Sequence, residues 1–378
     1  MFGQWQIPWE ILALASTNHY RHVATCCSAA QRALPWDFTM FADDELVERI
    51  GPSMTGAQRP QSMDVMLRRF SHKACADARD KVFGILGLIQ EPEAMKVVAD
   101  YGKTTREVYL EVTKIIREQS LASLRYLAGS GIGCGERDYN LPSWVRNYGW
   151  QPMDPRLTWC ERQRQALYEL YNASRGVHAR TEILSDTQLS VQVTMIGQIH
   201  SVSLPHAEQP FANTLPTIRS WARFNGTASL AASEVGNGLQ ARSFWRTVMA
   251  DAKFDAVRGW TRLTEEDLTE HMREIAKVQL AETNGERQYL RDSIMKSMVV
   301  ATYGRSFCMT EQGQIGICPP ATMAGDHVCA LAGANTVFVL RQTARANEYL
   351  LVGDAYLHGF MDGEALHVHD TLVSVHLK

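Results

Sequence analysis

The sequence has no run of about 18 consecutive apolar residues, the length that a membrane-spanning helix needs. Its opening residues, MFGQWQIPWEILALAS, have no basic segment, and Glu10 interrupts their short apolar stretch, so they do not resemble a signal peptide. There is no long basic cluster, and the net charge of −3 is spread along the chain. We therefore expect a cytoplasmic protein that binds neither membranes nor nucleic acid.

Cysteine spacings typical of disulfide bonds and the common catalytic motifs are also lacking. The eight cysteines form no CxxC pair and have no secreted-type spacing, so we expect reduced thiols, including two helical ones at Cys26–Cys27. The chain contains no GxSxG elbow, HExxH helix or Walker sequence. We assign no catalytic residue and expect neither a cofactor nor a metal. A nucleophilic Cys–His pair formed only in space would escape sequence reasoning.

The composition is that of a globular protein, with 45% hydrophobic and 21% charged residues. The length of 378 residues is enough for two domains. The clearest helical pattern covers residues 101–120, where Thr104 and Glu107 have capping-box spacing before an apolar stripe. Further helices are predicted over 8–16, 23–33, 43–50 and 158–172. We expect a mainly helical N-terminal half.

The stretch CADARDKVFGILGLI, residues 75–89, is an unusual helix candidate because it contains two glycines. Asp77 can cap its start, and four apolar residues after it share one face. Each glycine costs about 0.5–1 kcal/mol relative to alanine in a helix interior. We expect another backbone to approach Gly84 and Gly87 closely, so that a leucine at either position would destabilise the fold by overpacking.

The spacing of the apolar residues changes near residue 183 from a helical period to an alternation, which indicates strands. Helices return over 244–252, 264–281 and 291–301, and the residues after 303 alternate again, beginning with a hairpin about Gln312-Gly313. Tight turns between strands are expected at Gly325-Asp326, Gly353-Asp354 and Asp362-Gly363.

The predicted fold class is therefore α+β. A helical region over 1–180 precedes a small β-barrel over 181–378. The barrel strands come from about 183–204 and 303–375, with a helical insertion over about 213–301.

Eight segments of the chain resemble the fungal heterokaryon-incompatibility (HET-type) proteins in the region that follows their signature domain. In order, they are ARDKVFGILGLI (78–89), ADYGKTTREVYLEV (99–112), LPSWV (141–145), FWRTVMAD (244–251), GRSFCMTEQGQIGICPP (304–320), GDHVCALAG (325–333), FVLR (338–341) and YLLVGDAYLHGFMDGEAL (349–366). The resemblance covers most of the chain from about residue 70 onward.

The chain departs from that family in two places. In the family, LPSWV usually continues into Pro-Asp-Trp, whereas here Arg146-Asn147-Tyr148 follows, so an acidic position is absent. The signature segments like SYVWG and WIDAICINQ are also missing, and QIPWEILALAS (6–16) resembles the stretch just after that domain. The resemblance implies that the chain begins where the signature domain ends, without the module associated with triggering cell death.

Two polar motifs could carry chemistry, and each also has a structural explanation. Arg79-Asp80-Lys81 could be a catalytic or ion-binding trio, but charges at a helix start that pair with neighbours explain it better. GSGIGCG, residues 129–135, suggests a phosphate loop, yet Cys134 replaces the third glycine and a helix precedes it, so we interpret it as a flexible loop.

Histidine spacing offers two weaker candidates. In HVHDTLVSVH, His367 and His369 would share one strand face near Asp370 and His376 and could chelate a divalent metal, although a polar tail is the favoured interpretation. His19 and His22 have helical spacing. The aromatic residues Trp144 and Phe244-Trp245 are interpreted as core rather than as a ligand cage.

Three functions remain open on the sequence. The first is a protein-interaction role, with a protein partner, in heterokaryon incompatibility and self/non-self recognition, which is what the resemblance implies. The second is an accessory protein or enzyme recruited to a fungal specialised-metabolite pathway, the only alternative that requires a small-molecule substrate. The third is an inactive truncated remnant. Fold resemblance alone does not choose among them.

Overall fold

The computed structural model describes residues 62–71, 73–89, 96–120, 123–133, 138–150, 154–226, 239–255, 258–283, 292–366 and 372–378. The helices predicted over 8–16, 23–33 and 43–50 lie outside these ranges, as do Cys26–Cys27, His19, His22, His367, His369 and Asp370.

Eight helices lie in the described ranges. They are α1 Met63–Phe70, α2 Asp80–Phe83, α3 Thr105–Gln119, α4 Pro155–Tyr168, α5 Thr214–Phe224, α6 Leu239–Val248, α7 Glu265–Thr283 and α8 Asp292–Thr302. The predicted capping box begins α3: Thr104 Oγ1 accepts from the Glu107 amide, and Glu107 Oε2 accepts from the Thr104 amide at 2.7 Å. Thr264 and Asp267 exchange the same pair of hydrogen bonds at the start of α7.

Ten strands lie in the same ranges. They are β1 Glu182–Ser185, β2 Gln188–Val202, β3 Ala252–Asp255, β4 Gly259–Arg262, β5 Ser306–Thr310, β6 Ile315–Cys318, β7 His327–Leu331, β8 Val337–Gln342, β9 Glu348–Leu357 and β10 Val373–Leu377. β3 and β4 form a separate hairpin, and the other eight strands form one sheet. That sheet returns on itself because β2 pairs with both β5 and β7. The predicted α+β class with a C-terminal barrel is confirmed.

The ring closes unevenly because its two long strands change neighbours along their length. β9 pairs with β8 along one edge. Along the other edge it pairs with β10 at Glu348–Tyr349 and with β6 only at Tyr356 and Leu357. The barrel wall therefore has a gap on β9 between β10 and β6.

Residues 129–133 fill this gap. The Ile132 amide donates to the Leu351 carbonyl and the Gly133 amide to the Val352 carbonyl, both at 2.9 Å. Gly131 has a φ of 116°, and a Cβ there would lie 2.5 Å from the Val352 carbonyl oxygen. Only glycine allows this approach. The interpretation of GSGIGCG as a flexible loop is therefore wrong for its described part, which is bonded to β9.

The stretch 75–89 is not one continuous helix. α2 ends at Gly84, and a 3₁₀ turn over Leu86–Leu88 follows. The predicted Asp77 cap is wrong, because Arg79 occupies the N-cap position and makes no capping hydrogen bond with its side chain. The Asp77 carboxylate instead accepts from the Arg79 amide at 2.9 Å, just before the helix. Both glycines are exposed. A Cβ at Gly84 would meet the carbonyl of its own preceding turn at 2.8 Å, and one at Gly87 would meet nothing within 4 Å. The expected approach of another element is therefore wrong.

These contrasting glycines give a direct test. Gly131→Ala is expected to lower the free energy of unfolding by about 3 kcal/mol, because it combines a disfavoured φ with a backbone clash. Gly87→Ala should change it by about 0.5 kcal/mol or less, since its site is open. Urea denaturation of the two variants measures both values. Equal losses would contradict the role of residues 129–133 in filling the gap.

Candidate functional site

A buried ion pair lies where the C-terminal end of α4 meets β9. Asp354 is fully buried, and its Oδ2 accepts from Arg305 at 2.5 Å and from the Tyr168 hydroxyl. Its Oδ1 accepts from the Gly129 amide at 2.7 Å. Arg305 also donates to the Asp354 carbonyl, at 2.5 Å. Both carboxylate oxygens thus have donors, the arrangement that a buried charge requires.

The protonation states follow from these contacts. Burial by itself would raise the pKa of Asp354, but Arg305, the Tyr168 hydroxyl and the Gly129 amide together hold it well below its ordinary value. Burial raises the pKa of Tyr168, so its hydroxyl keeps the proton that it donates. Asp354 is therefore an ionised acceptor and not a proton donor at neutral pH.

Asp354 is not recognisable as an ion-pair residue from the sequence, because Gly353-Asp354 has the pattern of a tight turn. Both residues lie inside β9. The register between β8 and β9 shifts beside Gly353, since Val339 faces Gly353 while Leu340 faces Leu351. A glycine in a strand pattern can mark such a bulge as well as a turn. Gly325 and Gly363, in contrast, have a positive φ of 93° in the segments that flank strands β7 and β9.

A second buried carboxylate, Asp251, lies between α6 and β3. It pairs with Arg246 and, at 3.0 Å, with Arg262 of β4. Arg262 also pairs with Asp362, in the loop after β9, at 2.7 Å. Ala250 and Asp251 have φ values of 50° and 49°, which is a sparsely populated conformation for two consecutive non-glycine residues. This ion-pair network holds that backbone and joins the β3–β4 hairpin to the barrel.

Three tyrosines connect the two carboxylates. The ring of Tyr171 lies 6.2 Å from that of Tyr168 and 5.8 Å from that of Tyr356. Its hydroxyl donates to the Ala250 carbonyl, and the Arg262 guanidinium lies 5.1 Å from its ring centre. We call this continuous set the α4–β9 seam, which comprises Asp354, Arg305, Tyr168, Tyr171, Tyr356, Arg262 and Asp251.

His358 is the titratable group at the outer edge of the seam. It is half-buried, and its Nδ1 lies 3.3 Å from the Tyr356 hydroxyl. Burial lowers its pKa, and the neighbouring Arg246 and Arg262 act in the same direction, against the carboxylates of Asp251 and Glu364. The imidazole is therefore neutral at neutral pH.

The thiols near the barrel are poor nucleophiles. Burial raises the pKa of Cys160 to about 12. A hydrogen bond with Cys318, together with burial, raises the pKa of Cys308, and burial alone raises that of Cys329. Because the thiolate is the reactive form, these protonated side chains do not have the chemistry of a catalytic cysteine.

A small pocket opens beside Tyr168, with Gln165, Thr336 and Phe338 in its wall. Its accessible volume is about 20 Å³, which is room for about one water molecule. Substrate pockets measure about 300–1,000 Å³. This pocket is too small for a metabolite.

Two members of the Arg79-Asp80-Lys81 motif hold the segment before α3. Arg79 pairs with Asp77 at 2.6 Å and donates to the carbonyls of Tyr101 and Lys103, at 2.6 and 2.8 Å. Asp80 accepts from the Tyr101 hydroxyl at 2.6 Å. Two sequence segments that carry the resemblance, 78–89 and 99–112, are thus bonded to each other.

Lys81 points elsewhere. Its Nζ is largely buried and donates to the carbonyls of Ser71 and Lys73, at 2.6 and 2.5 Å, and burial lowers its pKa. The three charged residues therefore contact separate segments and do not converge on one reacting atom. The geometry agrees with the structural explanation.

LPSWV packs against the barrel. Ser143 Oγ donates to the carbonyl of Lys378 and accepts from the Leu351 amide at 2.9 Å, and Trp144 is buried. Asn147 stands at the position where the resemblance implies an acidic residue. Its side-chain oxygen accepts from the amides of Gly149 and Trp150, at 3.0 and 3.2 Å. The asparagine therefore keeps the acceptor that this turn needs, without the charge.

The remaining sequence candidates were a metal site and aromatic cages. Within the part of the chain that the structure describes, no group of three His, Cys, Asp or Glu side chains is placed to hold a metal ion. His376 lies in β10, whose Leu377 is fully buried, so this segment is a barrel strand and not a polar tail. Phe244 and Trp245 are core residues. No described helix is both long and apolar enough to cross a membrane.

Residues 249–371 match the Het-6 beta-barrel domain. The chain carries a Het-6 barrel domain. This confirms the resemblance of the C-terminal region to heterokaryon-incompatibility proteins. The Het-6 barrel domain contains β3 to β9, and the structure completes its ring with β2 and β10 from outside the matched range. Asp251, Asp354 and Asp362 all lie within it. No curated protein and no solved structure matches the chain.

Proposed function

We propose that this chain acts through protein–protein contacts in heterokaryon incompatibility, the recognition of self and non-self between fused cells. The match of residues 249–371 to the Het-6 barrel domain supports this proposal most directly. The polar groups of the α4–β9 seam support it as well, because they form their hydrogen bonds and ion pairs with one another. Asp354 and Asp251 hold the barrel, the helices and the hairpin together, which is the work of a scaffold.

Other expectations extend the same proposal. The chain is a cytoplasmic fungal protein, and a helical region over 1–180 precedes a barrel region over 181–378. On this proposal the surface carries the specificity, and the interior only maintains its shape. The chemistry of the buried thiols supports a binding role over a catalytic one, since burial keeps them protonated.

Expression of the chain in a filamentous fungus, followed by pairing with strains that lack it, tests this function. We expect death or arrested growth of the fused cells in the combinations that contain the chain and its partner. Cys308→Ala and His358→Asn should retain the full reaction, because a binding scaffold uses neither a thiol nor an imidazole for chemistry. Loss of the reaction in either variant at unchanged protein level would contradict a non-enzymatic role.

A further inference from the structure

Thr181 lies at the end of an exposed segment between α4 and the barrel. Residues 177–181 contain no helix or strand and lead directly into β1. Their side chains are exposed or half-buried, and Thr181 itself is half-buried. Segments of this kind are the parts of a fold that another enzyme most readily takes into its active site. Thr181 is therefore accessible to a modifying enzyme.

Arg117 of α3 contacts this threonine. Its Nη1 donates to the Thr181 carbonyl at 3.0 Å and to the Thr181 hydroxyl at 3.2 Å. Within the described ranges the half-buried guanidinium makes no other hydrogen bond, and its Nε is buried without a partner. Nε and Nη2 are thus unused donors. Arg117 can bind more acceptor atoms than Thr181 offers it.

Arg117 also has no counter-ion among the residues that the structure describes. The acids nearest to it along the two segments are paired with lysines or exposed; they are Glu118, 3.6 Å from Lys96, Asp186, 2.8 Å from Lys114, and Glu182, whose side chain is exposed. Arg180, next to Thr181, adds a second cation. A positive charge that is partly removed from water is stabilised by a negative partner. The place for that partner is the Thr181 hydroxyl, which Arg117 already contacts.

We propose that Thr181 is a phosphorylation site whose phosphate is bound by Arg117. A protein kinase transfers the terminal phosphoryl group of a nucleoside triphosphate: the Thr181 oxygen forms a bond to phosphorus, the bond from phosphorus to the nucleoside diphosphate breaks, and the hydroxyl proton is released. The phosphate carries about −1.5 to −2 charges and three acceptor oxygens. Nη1 and Nη2 donate to two of these oxygens, the paired geometry in which arginine binds phosphate most strongly.

This phosphate fastens the start of the barrel to α3. The same helix already contacts the β1–β2 turn, because Lys114 lies about one turn before Arg117 and pairs with Asp186. An Arg117–phosphate pair adds a second link at the other end of β1, since Thr181 precedes the strand and Asp186 follows it. Phosphorylation therefore changes how firmly β1 is held. The inference does not rest on the proposed interaction function.

The full chain with phosphoserine incorporated in place of Thr181 tests this binding. Its reference is the unphosphorylated Thr181→Ser variant, and phosphoserine in place of Ser374, an exposed residue of β10, is the matched control. We expect the phosphate at position 181 to raise the melting temperature by about 2 °C and the one at position 374 to leave it unchanged. In a ³¹P NMR titration the second pKa of the phosphate at position 181 should lie below its ordinary value of about 6. Arg117→Gln should abolish both effects.

A phosphate at position 181 that behaves like the one at position 374, or an effect that Arg117→Gln leaves intact, would overturn the proposal. The unmodified chain gives a further test. If inorganic phosphate raises its melting temperature and Arg117→Gln abolishes that rise, the site binds a free anion and the proposed modification is wrong. Phosphopeptide mass spectrometry of the chain expressed in a filamentous fungus shows whether a kinase uses the site. We expect phosphate on Thr181, and an unmodified Thr181 would contradict its assignment as a phosphorylation site.

Discussion

Replacement of Asp354 by alanine is expected to lower the free energy of unfolding by about 3–5 kcal/mol, because it leaves the Arg305 guanidinium buried without its counter-charge. The same change removes the acceptor of the Tyr168 hydroxyl and of the Gly129 amide. Gly129 begins the segment that fills the gap on β9, so the loss extends to the barrel wall. Urea denaturation monitored by tryptophan fluorescence measures the effect.

Two comparisons make that result specific. Asp362→Ala removes an exposed carboxylate from Arg262, and a partly solvated pair of this kind contributes about 1 kcal/mol or less. The double variant Asp354→Leu with Arg305→Met should be less destabilised than Asp354→Ala, since it removes both charges of the pair and leaves neither one buried without the other. A loss at Asp354→Ala no larger than at Asp362→Ala would show that the buried pair does not hold the seam.

Acid should act on the same pair in a definite direction. The folded pKa of Asp354 lies below its unfolded value of about 3.9, so its contribution is complete above that value. Below about pH 3.9 the Asp354 carboxylate binds a proton in the unfolded chain but not in the folded chain. The stabilisation is therefore lost as the pH falls towards the folded pKa.

Periodicity in the sequence predicted most of the secondary structure. The Thr104 capping box, the strand alternation after residue 183 and the hairpin about Gln312-Gly313 are all present, because each is fixed by neighbouring residues. The barrel was predictable because several short strands follow one another at close spacing near the C-terminus. Helix α5 and the β3–β4 hairpin were not singled out, although they lie in the predicted insertion.

The candidate site was far less predictable, since it depends on contacts between distant residues. Asp354 meets Gly129 and Tyr168 across more than 180 positions, and no local pattern encodes that contact. The glycines show the same limit. A nearby carbonyl of β9 requires glycine at position 131, whereas nothing in the described fold requires glycine at position 87. Both residues nevertheless lie in similar glycine-rich stretches.

A histidine outside every sequence motif should make stability depend strongly on pH. His206 follows β2 and is 1% exposed; its Nδ1 lies 3.0 Å from Thr302 Oγ1, and its Nε2 is buried without a partner. In the imidazolium form, Nε2 would be a buried donor with neither water nor an acceptor. Burial accordingly lowers the pKa of His206 to about 4.

The sign of the effect follows from proton binding. The pKa of this histidine is about 6.5 in the unfolded chain, the ordinary value, and about 4 in the folded chain. Between these two pH values the unfolded chain binds a proton that the folded chain does not. The free energy of unfolding should therefore fall by up to about 3 kcal/mol across that window. Denaturation at pH 7 and pH 5 should show a smaller difference for His206→Asn than for the unsubstituted chain. His178→Asn, at an exposed position, should keep the full difference, and an unchanged slope in His206→Asn would mean that this histidine is not held neutral by the fold.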